Sequence, residues 1–166
     1  MKKKFSAIGV GTLKSIEGCE LESYRCEAGK WSIGFGHTLG VKEGDVITYP
    51  EALRLLYQDI TESEDDVNRL CPNVNQNQYD ALVIFHFNVG GPQFSGSTLL
   101  KKVRVNPNDP TIKDEFLKWN KVNAEHDGKD NDNDGLIDEK GEKKVSKGLI
   151  NREIKTSNLY FTPCSN

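Results

Sequence analysis

Glu17, Cys26 and Ser32 bring a carboxyl, a thiol and a hydroxyl into one short stretch of the chain. Such groups can pass a proton to a reacting atom or hold a water against it. Their surroundings decide whether they meet. The carboxyl stands where a helical pattern stops, at Glu17-Gly18, and a turn follows. From Leu21 to Phe35 the pattern shifts toward alternation, with Trp31, Ile33 and Phe35 on one face of a strand. Ser32 then points to the opposite face, beside Gly34 and Gly36, which predicts open space next to its hydroxyl. A cleft floored by glycine lets a bulky substrate approach the backbone closely. The same glycines also suit a tightly packed hairpin, so composition leaves both readings open.

The elements that must position these groups follow from local pattern. Phe5, Ile8, Thr12, Leu13 and Ile16 recur at helical spacing and predict a first helix ending near Glu17. Gly9 and Gly11 weaken it, so packing must hold it in place. Glu27-Ala28-Gly29-Lys30 supplies the turn of a β-hairpin. Thr48 and Glu51 form a capping box with Pro50 in the first turn. They predict a helix carrying Ala52, Leu53, Leu56, Ile60 and Val67 toward Leu70, stopped by Pro72. Asn75 caps the next helix, whose run from Ala81 to Phe87 is apolar all round, as a buried central helix requires. That helix ends at Gly90-Gly91. Further helices are expected after Ser97, from Thr111…Asp114 to Trp119, and over residues 147–161. The fold class is therefore α+β and mostly helical, with one small sheet near the N-terminus.

A chain of 166 residues suits a single domain and buries a core without a metal or disulfide framework. The four cysteines, Cys19, Cys26, Cys71 and Cys164, lack the close pairing of a zinc site. No apolar run is long enough to span a bilayer, so no stable membrane insertion is expected. Met1-Lys2-Lys3-Lys4 and the short apolar stretch after it lack an Ala-x-Ala-like cleavage site, and the segment reads as mature structure rather than a leader. Net charge is −3, unevenly spread. Glu125 to Glu142 hold eight acids against Lys129 and Lys140, which leaves the remainder mildly basic. That balance suits an anionic polymer. It falls short of the dense basic face of a nucleic-acid binder, and no nucleic-acid partner is expected.

Several ordered motifs carry a family resemblance. Glu17 through Cys26, then Gly29, then Ser32-Ile33-Gly34-Phe35-Gly36-His37-Thr38, resembles the signature of phage-type lysozymes, the endolysins and muramidases of glycoside hydrolase family 24. Their pattern of Glu, eight residues, Asp or Cys, five residues, Thr is matched in spacing at Glu17, Cys26 and Ser32. Asn75 to Val83 through Phe87-Asn88-Val89-Gly90 resembles the family's central helix. Phe94 to Leu100, Glu115-Phe116-Leu117-Lys118-Trp119 and Gly148-Leu149-Ile150-Asn151-Arg152 match later motifs. The resemblance spans nearly the whole chain outside about residues 120–145.

The resemblance implies a single lysozyme-like domain of two lobes around a saccharide cleft. A lobe with the β-hairpin would cover about residues 17–60, and a helical lobe about residues 1–16 and 61–166. It implies hydrolysis of the β-1,4 bond between N-acetylmuramic acid and N-acetylglucosamine in bacterial peptidoglycan. Glu17 would protonate the leaving oxygen, and Arg152 would orient it. Partial burial of such a carboxyl favours its protonated form, and a cation beside it opposes that. Cys26 stands where most members carry Asp. An ordinary thiol, with a pKa near ~8.5, is mostly neutral at pH 7 and a poorer base than a carboxylate. It can still position the attacking water, or act as a thiolate if the site lowers its pKa. Ser32 replaces Thr and keeps a hydroxyl that can hold the water. Because of these two departures, a catalytically weak peptidoglycan-binding relative is the alternative, and a transglycosylase or chitin-type activity is a second one.

His37 is assigned a supporting, hydrogen-bonded role, and His86 that of a satisfied core histidine. Thr38, Phe87 and Ser97 match positions lining the family's saccharide cleft, although Phe87 equally fits plain core. Asn88 is placed near the cleft on the same grounds, and Trp119 beneath its floor. The expected partner is peptidoglycan, and the chain is expected to act as a monomer. It would work on the cell wall, in the periplasm or outside the cell, exported through a holin or another route.

The acidic insertion, about residues 125–142, interrupts the family pattern. Within it, Asp130, Asp132 and Asp134 supply oxygens at the first, third and fifth positions of a calcium loop, with Gly135 at the turn. The Leu136 carbonyl and Asp138 complete a candidate set. Gly141 occupies the twelfth position where a closing Glu is expected, so a solvated acidic insertion is the competing reading. Catalysis itself is expected to need no cofactor, and any calcium would be structural.

Overall fold

Ser6 starts the first helix, α1 (Ala7–Ile16), by accepting from the N–H groups of Ile8 and Gly9. The structure, a computed structural model, describes residues 2–26, 29–123 and 143–164. Ser6 also donates from its backbone N–H and its hydroxyl to the two carboxylate oxygens of Asp80. Asp80 is fully buried on the central helix, α4 (Gln76–Val89). A Cβ on Gly9 would come within 2.5 Å of a Phe5 ring carbon and 2.9 Å of the Asp80 carboxyl carbon. The glycine that weakens α1 as a helix is therefore what allows it to lie against α4.

After α1 the chain forms an antiparallel pair, β1 (Glu20–Arg25) and β2 (Trp31–Gly34), as the alternation predicts. Tyr24 faces Ser32 and Arg25 faces Trp31, but Glu20 pairs with Gly34, so β1 carries an irregularity between Glu20 and Tyr24. Residues 45–47 run along the other edge of β1, with Ser23 N–H donating to the Asp45 carbonyl and Ile47 N–H to that of Leu21, each at 2.9 Å. The open space expected beside Ser32 is not there at Gly34. That glycine is buried with φ +65°, and a Cβ on it would lie 3.3 Å from the Ala52 Cβ. Gly34 packs the hairpin onto the following helix instead of flooring a cleft. Gly36, with φ +95° and nothing within 4 Å of its Cβ position, is the glycine that leaves room.

The Thr48–Glu51 capping box opens α2 (Tyr49–Asp59) as expected. The single helix predicted to reach Leu70 is divided at Ile60, whose ψ is −7°, and continues as α3 (Thr61–Leu70). Thr61 donates from its hydroxyl back to the Tyr57 carbonyl at 2.9 Å. Such back-bonding over four residues bends helices. α4 begins with the Asn75–Gln78 box and ends at Gly90, φ +84°. Asn77 to His86 are all buried, which makes α4 the axis of the molecule.

Around that axis stand α5 (Gly91–Gly96), α6 (Thr98–Val105), α7 (Ile112–Leu117) and α8 (Lys147–Phe161). The core is aromatic at its centre. Phe85 meets Phe116 edge-on at 5.3 Å and Trp119 at 5.4 Å, and Phe116 meets Tyr160 at 5.6 Å. Each large apolar side chain buried here contributes about 1.5–3 kcal/mol. A second antiparallel pair, β3 (Lys121–Asn123) and β4 (Lys143–Val145), was not legible in the sequence. The fold is mostly helical, with the small hairpin near the N-terminus, and agrees with the expected class.

Candidate active site

Glu17 terminates α1. Its backbone N–H donates to the Leu13 carbonyl at 2.8 Å, and its φ and ψ of −90° and 133° turn the chain out of the helix. The side chain is 27% exposed, and Oε1 is buried with no hydrogen-bond partner. Arg152, on α8, brings Nε to 3.9 Å from that oxygen. At this separation the guanidinium attracts the carboxylate without hydrogen-bonding to it.

The Glu17 side chain walls an open depression of about 420 Å³, shared with Gly18, Glu20, Tyr24, Phe35 and Gly36. Tyr24 and Ser32 are directly opposed across the hairpin, so their side chains share a face. Ser32 is only 2% exposed and lies beneath the more exposed Tyr24. Burial pushes the Tyr24 phenol above its ordinary value. Cys26, Glu17 and Glu20 push it the same way, while a hydrogen bond with the Ser32 side chain pulls it back. The three residues singled out for chemistry therefore converge on one phenol. Neither Cys26 nor Ser32 lines the depression; Glu17 and Tyr24 do.

Cys26 itself is half-buried at the start of the hairpin turn, where its N–H donates to the Lys30 carbonyl at 2.9 Å. None of the four cysteines is joined to another in a disulfide. His37 is held on both sides, with Nδ1 2.9 Å from the Asp59 carboxylate oxygens and Nε2 3.0 Å from the Leu39 carbonyl. His86 meets the Ser63 hydroxyl at 2.8 Å and Asp66 at 3.0 Å. Both histidines are fixed by neighbours, and neither lines the depression.

A wider cavity of about 590 Å³ opens at Arg152. Asn88, Ser97, Trp119 and Glu153 line it, with Lys118, Lys121 and Lys143 adding positive charge. The Ser97 hydroxyl caps α6, accepting from Leu100 N–H at 3.0 Å and donating to the Phe94 carbonyl at 2.7 Å. Thr38 is exposed in the turn after β2, and Phe87 is half-buried against the core; neither lines the depression or the cavity. Glu153 is 2% exposed, and its Oε2 has no hydrogen-bond partner. Burial pushes this carboxyl up to about 8, against the opposing pull of Arg152.

Sequence reading missed Tyr24 and Glu153. Period-two alternation places Tyr24 on the face of Cys26, which is a signal that could have found it. Glu153 stands between Arg152 and Ile154 on a helix, and nothing local marks a carboxylate there as buried. The candidate calcium ligands Asp130, Asp132, Asp134, Leu136 and Asp138 lie outside the described residues. Among the described residues, no group of three His, Cys, Asp or Glu side chains is placed to hold a metal.

A half-buried carboxyl at a helix end, walling an open depression and lying 3.9 Å from an arginine that lines a wider cavity, fits a hydrolase. The chain belongs to the phage lysozyme family, whose model matches residues 14–155. It is 40% identical over 130 residues to the endolysin of Acyrthosiphon pisum secondary endosymbiont phage 1, covering 78% of this chain and 87% of that one. It is 37% identical over 130 residues to the endolysin of Salmonella phage P22, covering 75% and 88%. Among solved structures, the muramidase domain of SpmX from Asticaccaulis excentricus superposes with a TM-score of 0.80 at 32% identity, over 96% of this chain and 99% of that one. The endolysin from Escherichia coli O157:H7 phage FAHEc1 gives 0.82 at 30% identity, over 97% and 95%. The protein is a glycoside hydrolase, a lysozyme that degrades the peptidoglycan of the cell wall. Among the described residues no helix is long and apolar enough to cross a membrane.

Proposed function

We propose that the protein is an endo-acting muramidase that cleaves the β-1,4 bond between N-acetylmuramic acid and N-acetylglucosamine, with Glu17 as general acid. The observation that carries this is the Glu17 Oε1 atom, buried beside the depression with no hydrogen-bond partner. A carboxyl with an unoccupied oxygen at a cleft wall can give its proton to a leaving glycosidic oxygen. Arg152, at 3.9 Å, steers that carboxyl without occupying it. Cys26 and Ser32, grouped behind Tyr24, position or activate the attacking water. The cleft would lie between a hairpin lobe and a helical lobe, with the 590 Å³ cavity extending it beyond Arg152. The enzyme would reach the wall through a holin or another secretion route.

Glu17→Gln keeps the shape of the side chain and removes its transferable proton. Loss of lysis by about 10²- to 10⁴-fold in a peptidoglycan turbidity assay is expected. A variant as active as the wild type refutes the assignment. Mass spectrometry of the released fragments then identifies the bond: reducing N-acetylmuramic acid ends support hydrolysis, and anhydro ends replace it with transglycosylation.

A further inference from the structure

We propose that Tyr24 is a further catalytic residue, whose phenol holds the attacking water, and that Ser32 and Cys26 act through it. The inference rests on the reading of Glu17 as the acid of this cleft. Tyr24 lines the 420 Å³ depression together with Glu17, whereas Ser32 is 2% exposed and Cys26 lies outside the lining. A water in the depression therefore meets the phenol, and the Ser32 hydroxyl is covered by it. The register places Tyr24 directly opposite Ser32. The Ser32 side chain hydrogen-bonds with the phenol, which holds Tyr24 in place at the depression. The charged and titratable groups around the phenol are Glu17 at the end of α1 and Glu20 and Cys26 on the hairpin, and with burial they all favour its neutral form. A neutral phenol can donate to a water and accept from it, but it is no base.

The chemistry balances without one. The bond formed joins the water oxygen to the anomeric carbon, and the bond broken joins that carbon to the leaving oxygen. The Glu17 proton goes to the leaving oxygen. The proton released from the added water passes to solvent, from which Glu17 is reprotonated. An oxocarbenium-like transition state tolerates this order, because the carbon is electron-poor before the water commits. What the site must supply is placement of the water.

Tyr24→Phe removes the hydroxyl and keeps the ring. The expected result in the full chain is a fall in kcat of about a hundredfold, with KM and Tm close to wild type. Ser32→Ala should lower kcat in the wild type and cost nothing further in the Tyr24→Phe background. Full kcat in Tyr24→Phe, or an equal cost of Ser32→Ala in both backgrounds, overturns the proposal. Glu17→Gln run alongside separates the two failures. Its inactivity with an active Tyr24→Phe defeats this inference alone, and its full activity defeats the reading beneath it.

Discussion

Lys155 donates from Nζ to the Ser15 carbonyl oxygen at 2.7 Å. Ser15 lies in the last turn of α1, two residues before Glu17, and Arg152 stands one turn earlier on the helix that carries Lys155. α8 thus both ties down the end of α1 and supplies the guanidinium beside its carboxyl. A cation at a helix C-terminus also opposes the negative end of the helix dipole, worth about 0.3–1 kcal/mol at an exposed site.

Lys155→Met should therefore cost little stability and more activity. A loss of up to about 1 kcal/mol lowers Tm by roughly 2–4 °C in a chain of this size. Lysis should fall several-fold, because Glu17 loses its fixed bearing on Arg152. Ser15→Ala, which keeps the carbonyl, should leave both unchanged. Thermal melts and turbidity assays on the two variants check this, and equal lysis by Lys155→Met and wild type would sink it.

Two glycines should respond to alanine in opposite directions. Gly34 has φ +65°, and its new Cβ would sit 3.3 Å from that of Ala52. The left-handed conformation alone costs an L-residue about 1–2 kcal/mol, and the contact adds to it. Gly11 is exposed on α1 with nothing within 4 Å of its Cβ position, so alanine there should stabilise by about 0.5–1 kcal/mol. Urea denaturation of Gly34→Ala and Gly11→Ala decides the matter. A neutral Gly34→Ala would mean that the hairpin is not seated on α2 as described.

Much of this architecture is written in local pattern. The caps at Thr48 and Asn75, the all-round burial of α4 and its stop at Gly90 each follow from a few neighbouring residues. The positions of Glu17, Cys26 and Ser32 were readable from spacing, but their relations were not. The hairpin register depends on the turn before Lys30 and on the irregularity between Glu20 and Tyr24. That register is what sets Tyr24 over Ser32. The burial of Gly34 depends on the approach of Ala52 and Ile47, residues distant in sequence. β3 and β4 are too short to show alternation. The break at Ile60 comes from one hydroxyl choosing a carbonyl, a choice that an apolar periodicity does not record.

Glu153 should make the protein less stable as pH rises. Its carboxyl is pushed from 4.5 in the unfolded chain up to about 8 in the fold. Between those values the unfolded chain has released its proton and the folded chain still holds it. Each pH unit in that window then removes about 1.4 kcal/mol of stability at most. The contribution is fully present below about pH 4.5 and lost as pH climbs through about 8. Glu153→Gln, neutral at every pH, should remove this slope and be the more stable protein at pH 8. Urea midpoints measured from pH 4 to 9 test it, and parallel curves for variant and wild type would contradict it.

The acidic insertion supplies the last test. β3 and β4 pair Asn123 with Lys143, so the residues that flank the insertion are held side by side. A loop closed in this way loses less chain entropy when it folds around an ion. The sequence places Asp130, Asp132, Asp134, the Leu136 carbonyl and Asp138 at ligand positions and lacks the closing Glu, which predicts weak rather than buffer-grade affinity. Calcium at about 100 times its dissociation constant would stabilise the fold by about 2.7 kcal/mol if it binds only the folded chain. Tm should therefore rise with added calcium and fall with a chelator, and Asp132→Asn with Asp134→Asn should abolish the difference. Magnesium at the same concentration should do much less, because its smaller octahedral shell fits a flexible carboxylate loop poorly. Melting curves that superpose with calcium and with chelator would leave the insertion a solvated acidic segment.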